Sequence, residues 1–394
     1  MTTGVSKPVV IAGGGFGGLY TALALASKRH HPPILLIEPG ERFLFLPLLY
    51  ELLSGELRSW EICPRYDALL AGRGVAWLRD RVTAVDANSH QVHMASGRSL
   101  QFSQLVLATG GGNETFGVPG AREHGLFFRT LADVERLNQL VETLRQRRGA
   151  QQRIAIVGAG PSGVELACKL ADLLAGAATV ALIEQGPTAL PQARAFNREQ
   201  ALAALQRRNV RLHTATAVLA VEAGQLQLAG GQTLAVDATI WTAGLRLQPP
   251  PISPAAASDR RSRLWVTPEL RLLHSADVYA LGDVAALTPQ ASDQDGDDAV
   301  QPLPTTAQVA FQQAECLANN LMRAAAGEPQ EPFRYQDLGE MLSLGIGEAS
   351  VTGQGLTLAG KPAFLLRRLA YLARLPGRPH QLKVAAGWLA DWGR

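Results

Sequence analysis

The sequence predicts an α/β protein with two Rossmann-like dinucleotide-binding domains, each a parallel sheet flanked by helices, followed by a smaller C-terminal unit. Three observations carry this expectation. An apolar, β-branched run at residues 8–12 (PVVIA) enters the turn GGGFGG and then an apolar pattern with helical spacing. The same succession returns at residues 153–157 (RIAIV) with GAGPSG and a second helical pattern, so that Gly13 and Gly158 stand 145 residues apart. After each unit, at residues 75–111 and 210–244, short strands alternate with turn residues as in an antiparallel meander.

Each element follows from its own composition. Residues 34–38 (ILLIE) and 179–184 (TVALIE) are short apolar runs that return the chain to the sheet after a helix, which closes two βαβ units with parallel pairs. The prolines of residues 248–258 prevent regular structure and mark a crossover. The acidic run at 293–298 (DQDGDD) reads as a solvated surface loop, and after Phe333 the chain changes to a glycine-containing strand region and a basic, aromatic tail.

Composition sets outer limits. With 394 residues, 47% of them hydrophobic and 18% charged, and a net charge of +3, the chain can bury large cores and is neither disordered nor a nucleic-acid-wrapping type, so no nucleic-acid partner is expected. Cys63, Cys168 and Cys316 are scattered, with no CxxC pair or Cys/His cluster, so neither a disulfide framework nor a metal site is suggested and a reducing compartment fits. No run approaches the roughly 18–20 apolar residues that span a bilayer, and the start of the chain lacks a secretory pattern, so a cytoplasmic-side location is expected.

The glycine turns carry the chemistry. In Gly13-x-Gly15-x-x-Gly18 the first glycine permits the tight turn, the second lets backbone approach a pyrophosphate and the third allows close helix packing. The helix N-terminus then binds the anion, and Glu38, 20 residues beyond Gly18, can accept hydrogen bonds from a ribose 2′-OH. Gly158, Gly160 and Gly163 repeat the pattern, with Glu184 21 residues on. A carboxylate there repels a 2′-phosphate and favours NADH, while neighbouring groups can still admit NADPH. Two such sites imply two cofactors, most economically a resident flavin and a diffusing nicotinamide, with hydride transfer between them.

Residues 107–110 (LATG), 241–244 (WTAG) and 278–284 (VYALGDV) each bring an apolar strand into a glycine turn. With the two fingerprints, they resemble the glutathione-reductase-like two-dinucleotide-binding-domain flavoproteins, and that resemblance implies that Gly282 and Asp283 meet the ribityl and phosphate groups of FAD. The segment at residues 43–65, FLFLPLLYELLSGELRSWEICPR, is similar to the type II NAD(P)H:quinone oxidoreductases, and its LYELLSGEL form to their demethylphylloquinone reductase branch in cyanobacteria and plastids. WTAG, TAQVAFQQAECLANN and YQDLGEMLSLG reinforce the family.

The resemblance implies an enzyme in which hydride passes from NADH or NADPH to FAD and two electrons then reduce a membrane quinone, a naphthoquinone such as demethylphylloquinone, without proton pumping. It implies FAD on Gly13, Gly15, Phe16, Gly18, Glu38, Pro47, Leu48, Val82, Thr109, Gly110, Gly282 and Asp283, and NAD(P)H on Gly158, Gly160, Gly163, Glu184 and Gly244. Domains are then expected at 1–120 and 248–332 for FAD, 121–247 for NAD(P)H, and 333–394 for membrane association or dimerisation. Glu165 matches an acidic residue among the nicotinamide, flavin and quinone pockets; desolvation would raise its pKa and suit proton relay, while a first-turn acid favoured by the helix dipole is the plainer role. Gln308 matches a glutamine at the quinone tunnel, with Ala307 and Ala310 leaving room for a ring, and Gln312 is a weaker candidate.

The last segment adds a surface. Phe364, Leu365, Leu369, Leu372 and Leu375 can share a helical face flanked by Arg367, Arg368 and Arg374, and Trp388 and Trp392 suit headgroup depth, so peripheral binding to a plasma or thylakoid membrane is expected. A packed terminal helix or a homodimer contact is the alternative. Two rival functions stand beside this one: a redox-signalling electron carrier resembling apoptosis-inducing factor, and a sulfide:quinone oxidoreductase using Cys168 and Cys316, which instead fall in apolar helical patterns typical of inert buried thiols.

Overall fold

A computed structural model gives the fold over residues 7–147, 151–288 and 303–392; the acidic run at 293–298 and the side chain of Trp392 lie outside the described residues. The chain forms two compact units, one from Met1–Leu44, Cys63–Gly112 and Arg246–Gln336, the other from Phe45–Ile62, Asn113–Leu245 and Asp337–Arg394.

In the first unit, five parallel strands run in the order Val278–Ala280, Gln104–Leu107, Val9–Ala12, Ile34–Ile37, Val75–Leu78. The central strand pairs on one side through Val9 with Ile34 and on the other through Val9 with Gln104. Such strands are covered on both faces, which is why they read as continuous apolar runs. Val9, Val10, Ile11, Leu105, Val106 and Leu107 are all fully buried, each contributing about 1.5–3 kcal/mol from removal of apolar surface from water. The helix Phe16–Ala26 packs against the helix Ala307–Ala325.

The second unit repeats the arrangement. Its order is Arg211–His213, Ala178–Ile183, Gln152–Val157, Ala238–Trp241, Gly125–Leu126, again with the first strand flanked by the one after its helix and the one that leaves the meander. An antiparallel sheet, Glu340–Ser343, Ala349–Gly353 and Leu356–Gly360, then precedes the helices Lys361–Leu372 and Arg378–Trp392. Phe364 and Leu366 pack on the Ala349, Val351 and Ala363 cluster of this region.

The two stretches expected as simple meanders divide. Their outer strands, Val75–Leu78 with Gln104–Leu107 and Arg211–His213 with Ala238–Trp241, enter the parallel sheets, and only the strands between them form hairpins. Two-sided burial marks the inner members, since Gln104–Leu107 is buried at every residue whereas the hairpin strand Gln91–Met94 alternates; Val75–Leu78 and Arg211–His213 join as partly exposed edge strands.

Candidate active site

In the first unit the glycine turn is shaped by steric limits that a side chain would violate. A Cβ on Gly18 would lie 1.8 Å from the Gly13 carbonyl oxygen, and Gly13 itself has φ +102° with Thr109 and Ala108 against it. Gly15 differs: it caps the helix with an ordinary φ of −67°, and a Cβ there would meet nothing within 4 Å. The protein has no internal need of a glycine at 15, so the open space fits an approaching pyrophosphate. Glu38 accepts the N–H of Gly14 at 2.7 Å and that of Gly40 at 2.8 Å, which fixes its carboxylate at the strand end. Tyr66 donates its hydroxyl to the Gly14 carbonyl at 2.8 Å.

The rest of this unit's candidates surround two further strand ends. Gly110 (φ +62°) and Gly282 (φ +71°) take backbone conformations that suit glycine. The N–H of Gly282 donates to Oε1 of Gln313 at 2.7 Å, so a buried glutamine of the Ala307–Ala325 helix holds the turn that presents Asp283. Phe16 stacks on Tyr20 and meets Phe43 edge-on at 5.3 Å, and Val82 lies buried in the neighbouring sheet. Gln308 donates to the Tyr335 hydroxyl at 2.8 Å. Gln312 is taken up by backbone, giving to the Gln336 carbonyl and accepting its N–H, which leaves it a structural clasp. Gln313 escaped sequence reasoning because three glutamines share one helix and only the packing separates them.

The second unit repeats the cradle closely. A Cβ on Gly163 would lie 1.8 Å from the Gly158 carbonyl oxygen, Gly158 has φ +101°, and Gly160 caps its helix with nothing within 4 Å of a Cβ. Glu184 accepts from Ala159 N–H and Gly186 N–H, both at 2.8 Å. Thr242 donates its hydroxyl to the Val157 carbonyl at 2.9 Å, tying the WTAG turn and Gly244 to the glycine turn. Pro47 and Leu48 also belong to this unit, in the short turn Leu46–Leu48.

Two residues beyond Gly163, Glu165 is buried, and its Oε1 accepts the N–H of Ser343 at 2.7 Å. Arg367 Nη2 stands 3.7 Å from the same oxygen. Burial pushes the Glu165 carboxyl up to about 7; Arg367 and the Ser343 N–H oppose that rise, Glu51 adds to it, and the Tyr50 hydroxyl opposes it again. Desolvation therefore outweighs the cation, and the group can hold or release a proton near neutrality.

The same helix face carries Lys169 and Asp172. Lys169, fully buried, pairs with Glu56, whose other oxygen accepts the Gly347 N–H at 2.8 Å. Asp172 accepts the Ile346 N–H at 2.8 Å and pairs with Arg208 at 2.7 Å. Three carboxylates thus bind three N–H groups of one short turn, fixing the backbone that faces Glu165.

Arg367 is not at the surface, where its spacing among leucines had placed it. Its side chain is 2% exposed, paired with Glu51 and bonded to the Pro47 carbonyl at 2.7 Å. Arg368 lies 4.1 Å over the Trp388 ring, and the Trp388 indole donates to Glu61 at 2.6 Å, so these half-buried groups are engaged within the unit. Leu375 is likewise buried; the exposed apolar residues here are Leu365, Leu369, Leu382 and Leu389. Among the described residues no helix is long and apolar enough to cross a membrane. The Cys63 and Cys168 thiols are pushed up to about 12 and that of Cys316 to about 11, burial being the largest cause for each, so none is poised as a thiolate.

The chain matches the pyridine nucleotide-disulphide oxidoreductase family over residues 7–314. It is 40% identical over 399 residues to demethylphylloquinone reductase NdbB of Synechocystis sp., covering 98% of this chain and 97% of that one. It is 35% identical over 424 residues to the alternative NAD(P)H-ubiquinone oxidoreductase C1, chloroplastic/mitochondrial, of Arabidopsis thaliana, covering 97% and 80%. Among solved structures, NDH2 from Plasmodium falciparum in complex with NADH shares the fold with a TM-score of 0.82 at 18% identity, over 96% of this chain and 97% of that one.

Proposed function

The chain belongs to the pyridine nucleotide-disulphide oxidoreductase family, and from that premise we propose that it is an FAD-dependent NAD(P)H:quinone oxidoreductase of the type II kind, most similar to the demethylphylloquinone reductases. The observation that carries this is the duplicated cradle: two glycine turns, each with two sterically required glycines, one open glycine and a carboxylate held by two N–H groups. One chain so built takes two dinucleotides. Bound FAD supplies a two-electron relay between NAD(P)H and a quinone.

The residues divide the remaining work. Gly13, Gly15, Gly18 and Glu38 hold the pyrophosphate and ribose of FAD, with Asp283, presented by the Gln313-anchored turn, at its phosphate or ribityl side. Gly158, Gly160, Gly163 and Glu184 hold NAD(P)H, and the fixed Glu184 carboxylate disfavours a 2′-phosphate. Glu165, with a carboxyl near neutrality, holds a proton for delivery to the quinone oxygens. Gln308, oriented by Tyr335, offers its amide to a quinone carbonyl. A naphthoquinone is the acceptor we favour, on the strength of the 40% identical relative.

We place the enzyme on a membrane surface from its cytoplasmic side. Leu365, Leu369, Leu382 and Leu389 are 48%, 60%, 72% and 67% exposed beside Lys361, Arg378 and Lys383, a combination suited to an anionic interface. The decisive experiment is steady-state turnover of purified protein with NADH and NADPH across benzo- and naphthoquinones. Yellow protein that oxidises nucleotide only when quinone is supplied is the expected result; colourless protein, or turnover independent of quinone, would sink the proposal.

A further inference from the structure

Residues Thr115–Val118 form a tight turn closed by the Val118 N–H on the Thr115 carbonyl at 2.9 Å, with positive φ at both central residues, +53° at Phe116 and +72° at Gly117. That backbone pattern favours Asn, Asp or Gly in the first central position, because an ordinary side chain there crowds its own carbonyl. Here the position holds phenylalanine. Its side chain is not in a core: Phe116 is 65% exposed. Neither turn chemistry nor packing accounts for the residue, and an outlier of this kind points to a ligand.

The turn is held firmly in place. The Phe116 N–H donates to Glu114 Oε1 at 2.8 Å, and the Trp241 indole donates to the Glu114 carbonyl at 2.8 Å. The ring rests over Gly244, where an added Cβ would come within 2.6 Å of its Cζ. Gly244 follows Thr242 and Ala243, which abut Gly158 and Gly163 of the second cradle.

The sheet order says which part of a dinucleotide reaches this point. Glu184 ends the strand on one side of Gln152–Val157, and Trp241 ends the strand on the other. With the adenine ribose on the acidic residue and the pyrophosphate on the helix N-terminus, the nicotinamide half must extend across the switch point toward Gly244. We propose that Phe116 is a nicotinamide-contacting residue, its ring, seated on Gly244, forming the wall against which the nicotinamide of NAD(P)H lies. This rests on the assignment of the second cradle to NAD(P)H and adds the residue that fixes its reactive half.

The test compares the holoenzyme with Phe116→Asn, which suits the turn and removes the ring, and with Phe116→Tyr, which keeps it. ADP-ribose serves as the probe that lacks nicotinamide. For Phe116→Asn the KM for NADH should rise about tenfold, the scale of one aromatic contact, while inhibition by ADP-ribose and the melting temperature are preserved. Phe116→Tyr should keep the KM of the parent protein. Equal weakening of NADH and ADP-ribose, or no change in either, would overturn the role of Phe116. A parent protein that neither oxidises NAD(P)H nor binds ADP-ribose would overturn the cradle assignment, and this role with it.

Discussion

Arg367 and Glu51 form an ion pair whose side chains are 2% and 3% exposed, joining residues 316 positions apart in the chain. The pair lies beside Glu165, so Arg367 is the cation for two buried carboxylates. Arg367→Met leaves both without it and is expected to lower stability by about 3–5 kcal/mol. Adding Glu51→Leu should recover much of that loss, because an apolar pair of similar volume replaces the orphaned charge. Thermal or urea unfolding of the single and double variants reads this directly; a double variant no more stable than Arg367→Met would locate the damage elsewhere.

Glu165 gives a pH signature with a definite sign. Its carboxyl rises from 4.5 to about 7 on burial, so the folded chain binds a proton that the unfolded chain has already released. The associated stability is complete below the unfolded value and is lost as pH rises through the folded one. Glu165→Gln cannot ionise, so its stability relative to the parent should improve by about 3 kcal/mol between acid and alkaline conditions. In turnover, the quinone half-reaction of the parent should slow as pH rises through about 7. The glutamine variant should lack that inflection and run on the order of 10²-fold slower with FAD retained. Stopped-flow reoxidation that matches the parent would make the residue structural.

On the proposed assignment of the two cradles, the third glycines should separate the cofactors. Each would place a Cβ 1.8 Å from a carbonyl oxygen of its own turn, so alanine must push the helix away from the pyrophosphate. Gly18→Ala should be purified with little flavin absorbance. Gly163→Ala should stay yellow while its KM for NADH rises more than tenfold. Loss of FAD from both, or from neither, would contradict the division of labour.

How much of this was readable in the sequence depends on what kind of pattern each feature leaves. The strands at Val9–Ala12 and around Ile154–Val157 were visible because burial on both faces demands an unbroken apolar run, and the glycines because their spacing is dictated by geometry within one turn. Glu165 was visible only through its place in the second motif. Its partners were not: a buried Arg367 has the same local pattern as one flanking a surface helix, and Glu51 lies hundreds of residues away. Lys169 with Glu56 escaped for the same reason, since charge pairing across the chain leaves no periodicity. Phe116 was hidden because an aromatic before a glycine looks ordinary until its backbone is known to be left-handed.

The exposed leucines give the last prediction. Of the residues expected to face lipid, Arg367 and Leu375 are buried and Phe364 packs on the adjoining hairpin; Leu365 and Leu369 stay exposed, and Leu382 and Leu389, not among those expected, join them as the apolar surface proposed to meet a membrane. Each leucine that enters the interface contributes on the order of 1 kcal/mol or more through apolar burial. Changing Leu365 and Leu369 to Ser together should therefore weaken binding to anionic liposomes by roughly tenfold or more. Both side chains point to solvent, so folding, FAD content and turnover with a water-soluble quinone should stay at the parent level, whereas turnover with a long-chain quinone embedded in vesicles should fall. If flotation persists but the sedimentation behaviour shifts toward a smaller species, the leucines join two copies of the chain instead of meeting lipid.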